Sequence, residues 1–400
     1  MVTKRIYTFD GTWADRNSNR KPTILSALVE FLSVPSSQQE IRYFPGLGTR
    51  YGMFEKYLGG GFGHGIENNI LAAIDDLATN YSPQDEIIII GYSRGAYIAR
   101  CVAGFLNRLG LPQCDRDIMR QLYSKYTSGS LLQRGVADRL LKQYNCRQIT
   151  IKSLICIDTV GSLGIPRTGL FGLFHTISPP MRKYKFLETD IESNVEKVFH
   201  ALALHEHRGP FQPTPMHVPK DRQGCLKQVY FLGNHCDVGT LSDGGSLGDI
   251  ILASILQQLH DAGIKFNCEK IAIQFPRSGT NCPLSEIKSH DWVHDPIQQS
   301  STCLWRLFGK HTRRPGVLCK DDWVANESIH ASVRLRGYGV ERTHKAIKGY
   351  SIRTNPDHTY SWHRDKRTST NGANDAEDSC IISEEPFGEY EAWLHGVTPG

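Results

Sequence analysis

No stretch of this 400-residue chain approaches the ~18 uninterrupted apolar residues that a membrane-spanning helix requires. The start, Met1-Val2-Thr3-Lys4-Arg5-Ile6-Tyr7, carries basic residues without an apolar run of signal-peptide length behind them. Eleven cysteines are scattered through the sequence with no C-x-x-C pair, so zinc-ribbon and thioredoxin-type readings lose their main support. Net charge is small: 46 Lys and Arg against 41 Asp and Glu leave +5, where nucleic-acid binding wants a concentrated basic face. G-x-x-x-x-G-K-[ST] is missing, and the glycines of 59–65 lack the G-x-G-x-x-G spacing, so no phosphate cradle is expected and a loop is. These absences predict a cytoplasmic protein with mostly free thiols and no nucleic-acid partner.

What is present is an alternation of strand-like and helix-like segments. Arg5–Phe9, Gln39–Phe44, Glu86–Ile90, Ser153–Ile157 and Gln228–Leu232 read as strands. Residues 22–31, 66–78, 96–109 and 247–259 read as helices. The Ile87–Ile90 run has no polar alternation, which suits a strand buried on both faces. The pattern predicts an α/β fold with a mostly parallel sheet and helices on both faces. A core over 1–265 is expected, with insertions near 111–148 and 164–190 that would cover the site or sit on the surface. Residues 266–400 would complete or cap that core, and the polar stretch 364–380 reads as flexible.

The sharpest local signal is Gly91-Tyr92-Ser93-Arg94-Gly95-Ala96, a G-x-S-x-G directly after a buried strand and directly before a helix. A serine on such a turn projects its hydroxyl above the sheet, and the helix N-terminus favours negative charge developing there. A serine nucleophile needs a base, and the base an orienting acid. Asp158 directly follows the 153–157 strand and fits the acid. His235 follows the 228–232 strand and fits the base. Asp237 is the alternative acid and His330 the alternative base, with His363 a further histidine downstream. Oxyanion donors are expected from the N–H of Arg94 and from Gly11 or Thr12, after the first strand, with Asp10 pinning that turn. His205-Glu206-His207 is not H-E-x-x-H, and neither metal nor organic cofactor is expected. The basic run Lys310-His311-Thr312-Arg313-Arg314 reads as an exposed loop, with peripheral contact to anionic lipid headgroups as its functional alternative.

Four ordered motifs carry a resemblance. They are Phe9-Asp10-Gly11-Thr12-Trp13, residues 91–96, Asp158-Thr159-Val160-Gly161-Ser162-Leu163-Gly164, and Gly233-Asn234-His235-Cys236-Asp237-Val238-Gly239. From about residue 4 to 262 the chain resembles the α/β-hydrolase family that includes the phospholipase effectors of type VI secretion. Pro45-Gly46-Leu47-Gly48-Thr49 and residues 201–208 add to the match. Ile157, His205 and Thr240 depart from the family's usual tryptophan, acidic residue and glycine. The resemblance implies a Ser93–Asp158–His235 triad and favours a lipid or phospholipid acyl ester as substrate. The aromatic segment near Phe171 and Phe174 reads as a place to help bind an acyl chain. A small soluble ester or lactone, or a hydrolase-fold binding protein without turnover, are the other readings of the residues.

Overall fold

The computed structural model describes residues 2–11, 22–35, 38–46, 61–161, 191, 193–242, 247–280, 295–298, 311–316, 323–336, 346–364 and 380–397. The segment 164–190, with Phe171 and Phe174, lies outside them, as do Thr12 and most of 364–380. Twelve strands are present among the described residues. They are β1 (Lys4–Phe9), β2 (Gln39–Phe44), β3 (Glu86–Tyr92), β4 (Ile151–Ile157), β5 (Val195–Ala203), β6 (Val218–Pro219), β7 (Leu226–Phe231), β8 (Trp323–Val324), β9 (Glu327–His330), β10 (Tyr350–Thr354), β11 (Tyr360–Arg364) and β12 (Cys380–Glu385).

Ten of these strands form one sheet in the order β10-β11-β12-β9-β7-β5-β4-β3-β1-β2, while β6 and β8 pair separately. From β2 across to β12 every neighbouring pair is parallel; β10 and β11 close the far edge in antiparallel pairing. The mostly parallel sheet read from the sequence is therefore the sheet observed. The strand order places the C-terminal strands β9 and β12 beside β7, extending the sheet that the first 231 residues begin.

Alternate side chains of the strands feed two apolar layers, one on each face. Ile6, Ile88, Ile90, Ile155 and Ile157 point into the layer covered by α1 (Ile24–Leu32), α6 (Leu247–Asp261), α7 (Cys268–Gln274) and α9 (Glu389–Leu394). Tyr7, Phe9, Ile87, Ile89 and Leu154 point into the other, covered by α2 (Gly61–Asn80), α3 (Arg94–Leu109), α4 (Arg116–Thr127) and α5 (Val136–Gln143). The isoleucine run of β3 is fully buried because both of its faces are covered by helices. Between these elements, the short α8 (Ala331–Leu335) follows β9. No disulfide contributes among the described residues, whose eight cysteines are all free.

Two details differ from the sequence reading. α2 starts at Gly61, so part of the glycine-rich stretch is helix rather than loop. The segment 111–148 forms α4 and α5, and Met119, Leu122, Tyr123 and Leu140 bury themselves in the same layer as α3. Its amphipathic pattern is thus spent on core packing.

β1 and the start of α3 approach each other closely. A Cβ at Gly95 would fall on the Phe9 carbonyl, and one at Gly91 would lie 2.5 Å from Ala96 Cα. Gly95→Ala is expected to cost about 3 kcal/mol through forced backbone displacement, read as a lower midpoint in urea unfolding; a variant as stable as the parent would show that the interface is not this close.

Candidate active site

The carboxyl ends of β3, β4, β5 and β7 lie side by side, and the turns leaving β3, β4 and β7 carry Ser93, Asp158 and His235. β3 ends at Tyr92 and α3 begins at Arg94, so Ser93 alone turns the chain from strand to helix. It does so at φ 57° and ψ −118°, a region that side chains rarely occupy. Its N–H donates to the Ile157 carbonyl of the neighbouring strand at 2.8 Å, which locks the turn to β4. Arg94 is the first residue of α3, so its N–H stands at the positive end of the helix dipole beside Ser93.

Asp158 also sits at positive φ, 43°, one residue beyond β4. Its N–H donates to the Ala201 carbonyl (2.8 Å), and its Oδ1 accepts the Ala203 N–H (3.0 Å). The following N–H, of Thr159, donates to Nε2 of His200 (3.2 Å), while Nδ1 of that ring meets Gln228 Oε1 at 3.0 Å. Burial, with the Arg100 charge nearby, pushes the His200 imidazole down to about 3, so it is a neutral strut beneath the Asp158 turn.

His235 is placed by a loop with several fastenings. Gly233 takes φ +100°, and a Cβ there would lie 2.5 Å from Asp237 Cβ. Asn234 Oδ1 accepts the N–H groups of Cys236 and Asp237 (2.8 and 3.2 Å). The Gly233 N–H donates to His205 Nδ1 (3.0 Å), the His235 N–H to Glu206 Oε2 (3.2 Å), and the Tyr92 hydroxyl to the His235 carbonyl (2.9 Å). The imidazole lies between the ring of Tyr92, stacked at 5.1 Å, and that of Phe211, edge-on at 4.9 Å.

These turns bring the three side chains together. His235 Nε2 is 2.8 Å from Ser93 Oγ, and His235 Nδ1 is 2.6 Å from Asp158 Oδ2. All three are at most 5 % exposed. An ionised Asp158 can only accept, so Nδ1 donates to it, and the neutral ring of that tautomer presents its Nε2 lone pair to the serine hydroxyl.

The other residues singled out from the sequence go elsewhere. Asp237 caps its own loop: Oδ2 accepts the Asn234 N–H at 2.9 Å and the Gln298 N–H at 3.3 Å. Burial pushes its carboxyl up to about 6. His330 is fully buried, with Nδ1 on Ser332 Oγ (2.8 Å) and Nε2 3.2 Å from Glu391, and it packs on Phe231 and Phe387. The Gly11 N–H, expected to face an oxyanion, donates instead to Asp10 Oδ1 at 2.6 Å. The turn uses that donor itself, because Asp10 also collects the hydroxyls of Thr23 and Tyr43 and holds the loop (2.6 and 2.7 Å).

Two charged pairs are not legible in the sequence. Glu206, buried, binds Arg208 through two side-chain bonds (2.9 and 2.8 Å). Burial opposes the Glu206 charge, but Arg208 outweighs it and holds the carboxyl below its usual range. Arg313 corrects the reading of the 310–314 run as an exposed loop: it is 2 % exposed and its guanidinium binds Asp158. Burial disfavours the Asp158 charge, yet Arg313 and His235 together hold its carboxyl well below the ordinary carboxylate range.

Residues 4–258 match the family model described as the type VI secretion phospholipase effector Tle1-like catalytic domain. The chain is 28% identical over 242 residues to the uncharacterised Saccharomyces cerevisiae protein YEL023C, an alignment spanning 54% of this chain and 33% of that one. It thus spans about a third of the length of the curated relative it matches. An uncharacterised Pseudomonas aeruginosa protein of known structure is 16% identical with a TM-score of 0.42, covering 66% of this chain and 46% of the other. The Tle1 effector solved bound to the VgrG spike of a type 6 secretion system is 19% identical with a TM-score of 0.33, covering 62% and 53%. Among the described residues no helix is long and apolar enough to cross a membrane. With its helix-covered parallel sheet and its serine on a strand-to-helix turn, the chain belongs to the Tle1-like catalytic-domain family of phospholipase-like α/β-hydrolases.

Proposed function

We propose that this protein cleaves carboxylic esters, and specifically acyl esters of lipids or phospholipids, by way of an acyl-enzyme on Ser93. The observation that carries the reading is the His235 ring held between Ser93 Oγ (2.8 Å) and Asp158 Oδ2 (2.6 Å) at the carboxyl ends of β3, β4 and β7. The family supports the lipid class of substrate.

In this reading the Ser93 oxygen attacks the acyl carbonyl while its proton passes to His235 Nε2. The carbonyl oxygen becomes an oxyanion, met by the Arg94 N–H at the head of α3. Collapse of the tetrahedral intermediate breaks the ester bond. His235 returns the proton to the departing alkoxide, and the acyl group stays on Ser93. Water, deprotonated by the same nitrogen, then attacks the acyl carbon; the second tetrahedral intermediate collapses, the bond to Ser93 Oγ breaks, His235 returns the proton to that oxygen, and the acid is freed. Asp158 accepts the Nδ1–H bond throughout and stabilises the imidazolium formed in each half. No step requires a metal or an organic cofactor.

A fluorophosphonate should form a covalent adduct on Ser93, located by peptide mapping, and Ser93→Ala and His235→Ala should both abolish it. A folded parent chain that stays unlabelled would overturn the activated-serine reading. Hydrolysis of vesicular or micellar phospholipid should exceed hydrolysis of short soluble esters; the reverse ranking would move the substrate to the small-ester class. Asp158→Asn should lower kcat roughly 10⁴-fold by spoiling the tautomer and the charge behind the imidazole. Asp237→Asn should stay within a few-fold of the parent, since an amide oxygen can still accept the Asn234 and Gln298 N–H groups.

A further inference from the structure

Arg313 lies 155 positions after Asp158, beyond the end of the family match, in the described segment 311–316. Its backbone neighbourhood is tied to the site: the His311 N–H donates to the His207 carbonyl at 2.9 Å. The guanidinium makes four bonds and reaches three different pieces of the site. Nη1 binds Asp158 Oδ1 and the Ala203 carbonyl at the end of β5 (2.7 Å to the carbonyl). Nη2 binds Asp158 Oδ2 at 3.0 Å and the Phe211 carbonyl at 2.7 Å. Both carboxylate oxygens are therefore gripped by the planar fork, the geometry that lysine cannot reproduce. Oδ2 serves Arg313 and His235 at once. Phe211, whose carbonyl Arg313 holds, is the ring set edge-on against His235.

We propose that Arg313 is a positioning residue of the active site: by gripping both oxygens of Asp158 it fixes that carboxylate as the anionic acceptor for His235, and by holding Phe211 it fixes the wall against which the imidazole turns. The proposal rests on the reading of Ser93, His235 and Asp158 as the catalytic set. Its physical basis is the cost of a bare charge. Asp158 is fully buried, and a carboxylate in that position either takes a proton or finds a cation. A protonated Asp158 would no longer stabilise an imidazolium, and its rotamer would be free to leave the Nδ1–H bond. The ionisable groups facing Asp158 are His235 and Arg313, bonded to it, with His200, Tyr92 and Tyr230 close enough to feel its charge. His200 is held neutral by burial, and burial likewise keeps both tyrosines protonated. Arg313 is thus the fixed positive charge in direct contact with the carboxylate.

Arg313 favours ionised Asp158, so removing it raises the pH at which Asp158 takes up a proton. In the parent that point lies well below the ordinary carboxylate range; a carboxyl left buried without its cation takes up its proton within the assayed range, activity is lost as pH falls through that point, and the acidic limb of the variant lies above the parent's.

The test is the rate of Ser93 labelling by a fluorophosphonate between pH 5 and 9, for the 400-residue parent, R313Q and R313K, with melting temperatures alongside. R313Q, which keeps donors and loses charge, should label roughly tenfold or more slowly at pH 7, with its acidic limb displaced upward by about one pH unit or more. R313K keeps the charge and can reach only one oxygen at a time, so its rate should fall while its limb stays near the parent's. A role in packing alone would lower stability and leave the limb in place. A folded R313Q with the parent's rate and limb overturns the proposal. Should R313Q fail to fold, R313K decides: a folded R313K that labels at the parent's rate overturns it equally. An unlabelled parent would instead bring down the serine reading, and this proposal with it, whereas a labelled parent with unaffected Arg313 variants brings down this proposal alone.

Discussion

Asp158 has no exposed surface, and its charge must therefore be met from within the protein. Water would have supplied several hydrogen bonds to that carboxylate; here they come from the Ala203 N–H, the His235 imidazole and the Arg313 fork. Each of those partners comes from a different part of the chain: β5, the turn after β7, and the segment 311–316. One buried anion thereby dictates that three distant segments converge on the end of β4. Glu206, another buried acid, repeats the solution on a smaller scale, with Arg208 two residues away as its cation and the His235 backbone as an additional donor. The two ion pairs bracket the histidine loop, one through its side chain and one through its main chain.

Backbone geometry makes this convergence possible. Ser93 and Asp158 both occupy positive φ on non-glycine residues, and both follow directly from buried parallel strands. Such conformations persist only where the surroundings over-determine them. Here the surroundings are ladder-like bonds from each turn to the neighbouring strand, Ser93 N–H to Ile157 of β4 and Asp158 N–H to Ala201 of β5, which continue the strand pairing past the ends of β3 and β4. Glycine serves the opposite purpose at 91 and 95, where what matters is the absence of a side chain between β1, β3 and α3.

What the sequence discloses and what it hides divide along a physical line. β3 is plain, because four isoleucines buried on both faces leave no ambiguity of period. The turn at 91–96 is plain, because its residue types are dictated locally. β5 is obscured by Glu196 and Lys197, which sit exposed near its start and break the apolar run, and by His200, a polar residue whose partner Gln228 lies on the adjacent strand. α2 reads short in the sequence because glycines are poor helix formers, yet the helix starts at Gly61. Gly11 reads as a donor toward substrate, and only the fold shows the Asp10 carboxylate curling back onto it. Arg313 is the most thoroughly hidden. Next to Lys310, His311 and Arg314 it has the look of a solvated basic run, and nothing local says that one of these cations is turned inward.

The separation of Asp158 from Arg313 has a consequence for how the molecule is made. During synthesis the segment from β1 to α6, which holds the strands from β1 to β7, leaves the ribosome before residue 313 does. At that stage the Asp158 carboxylate lies at the end of a buried strand while its cation has yet to leave the ribosome. Until residue 313 arrives the carboxylate has no Arg313 to meet its charge, and burial then favours water or a proton beside it. A chain that stops where the family match ends therefore carries Ser93, Asp158 and His235 without the cation that meets the charge of the acid.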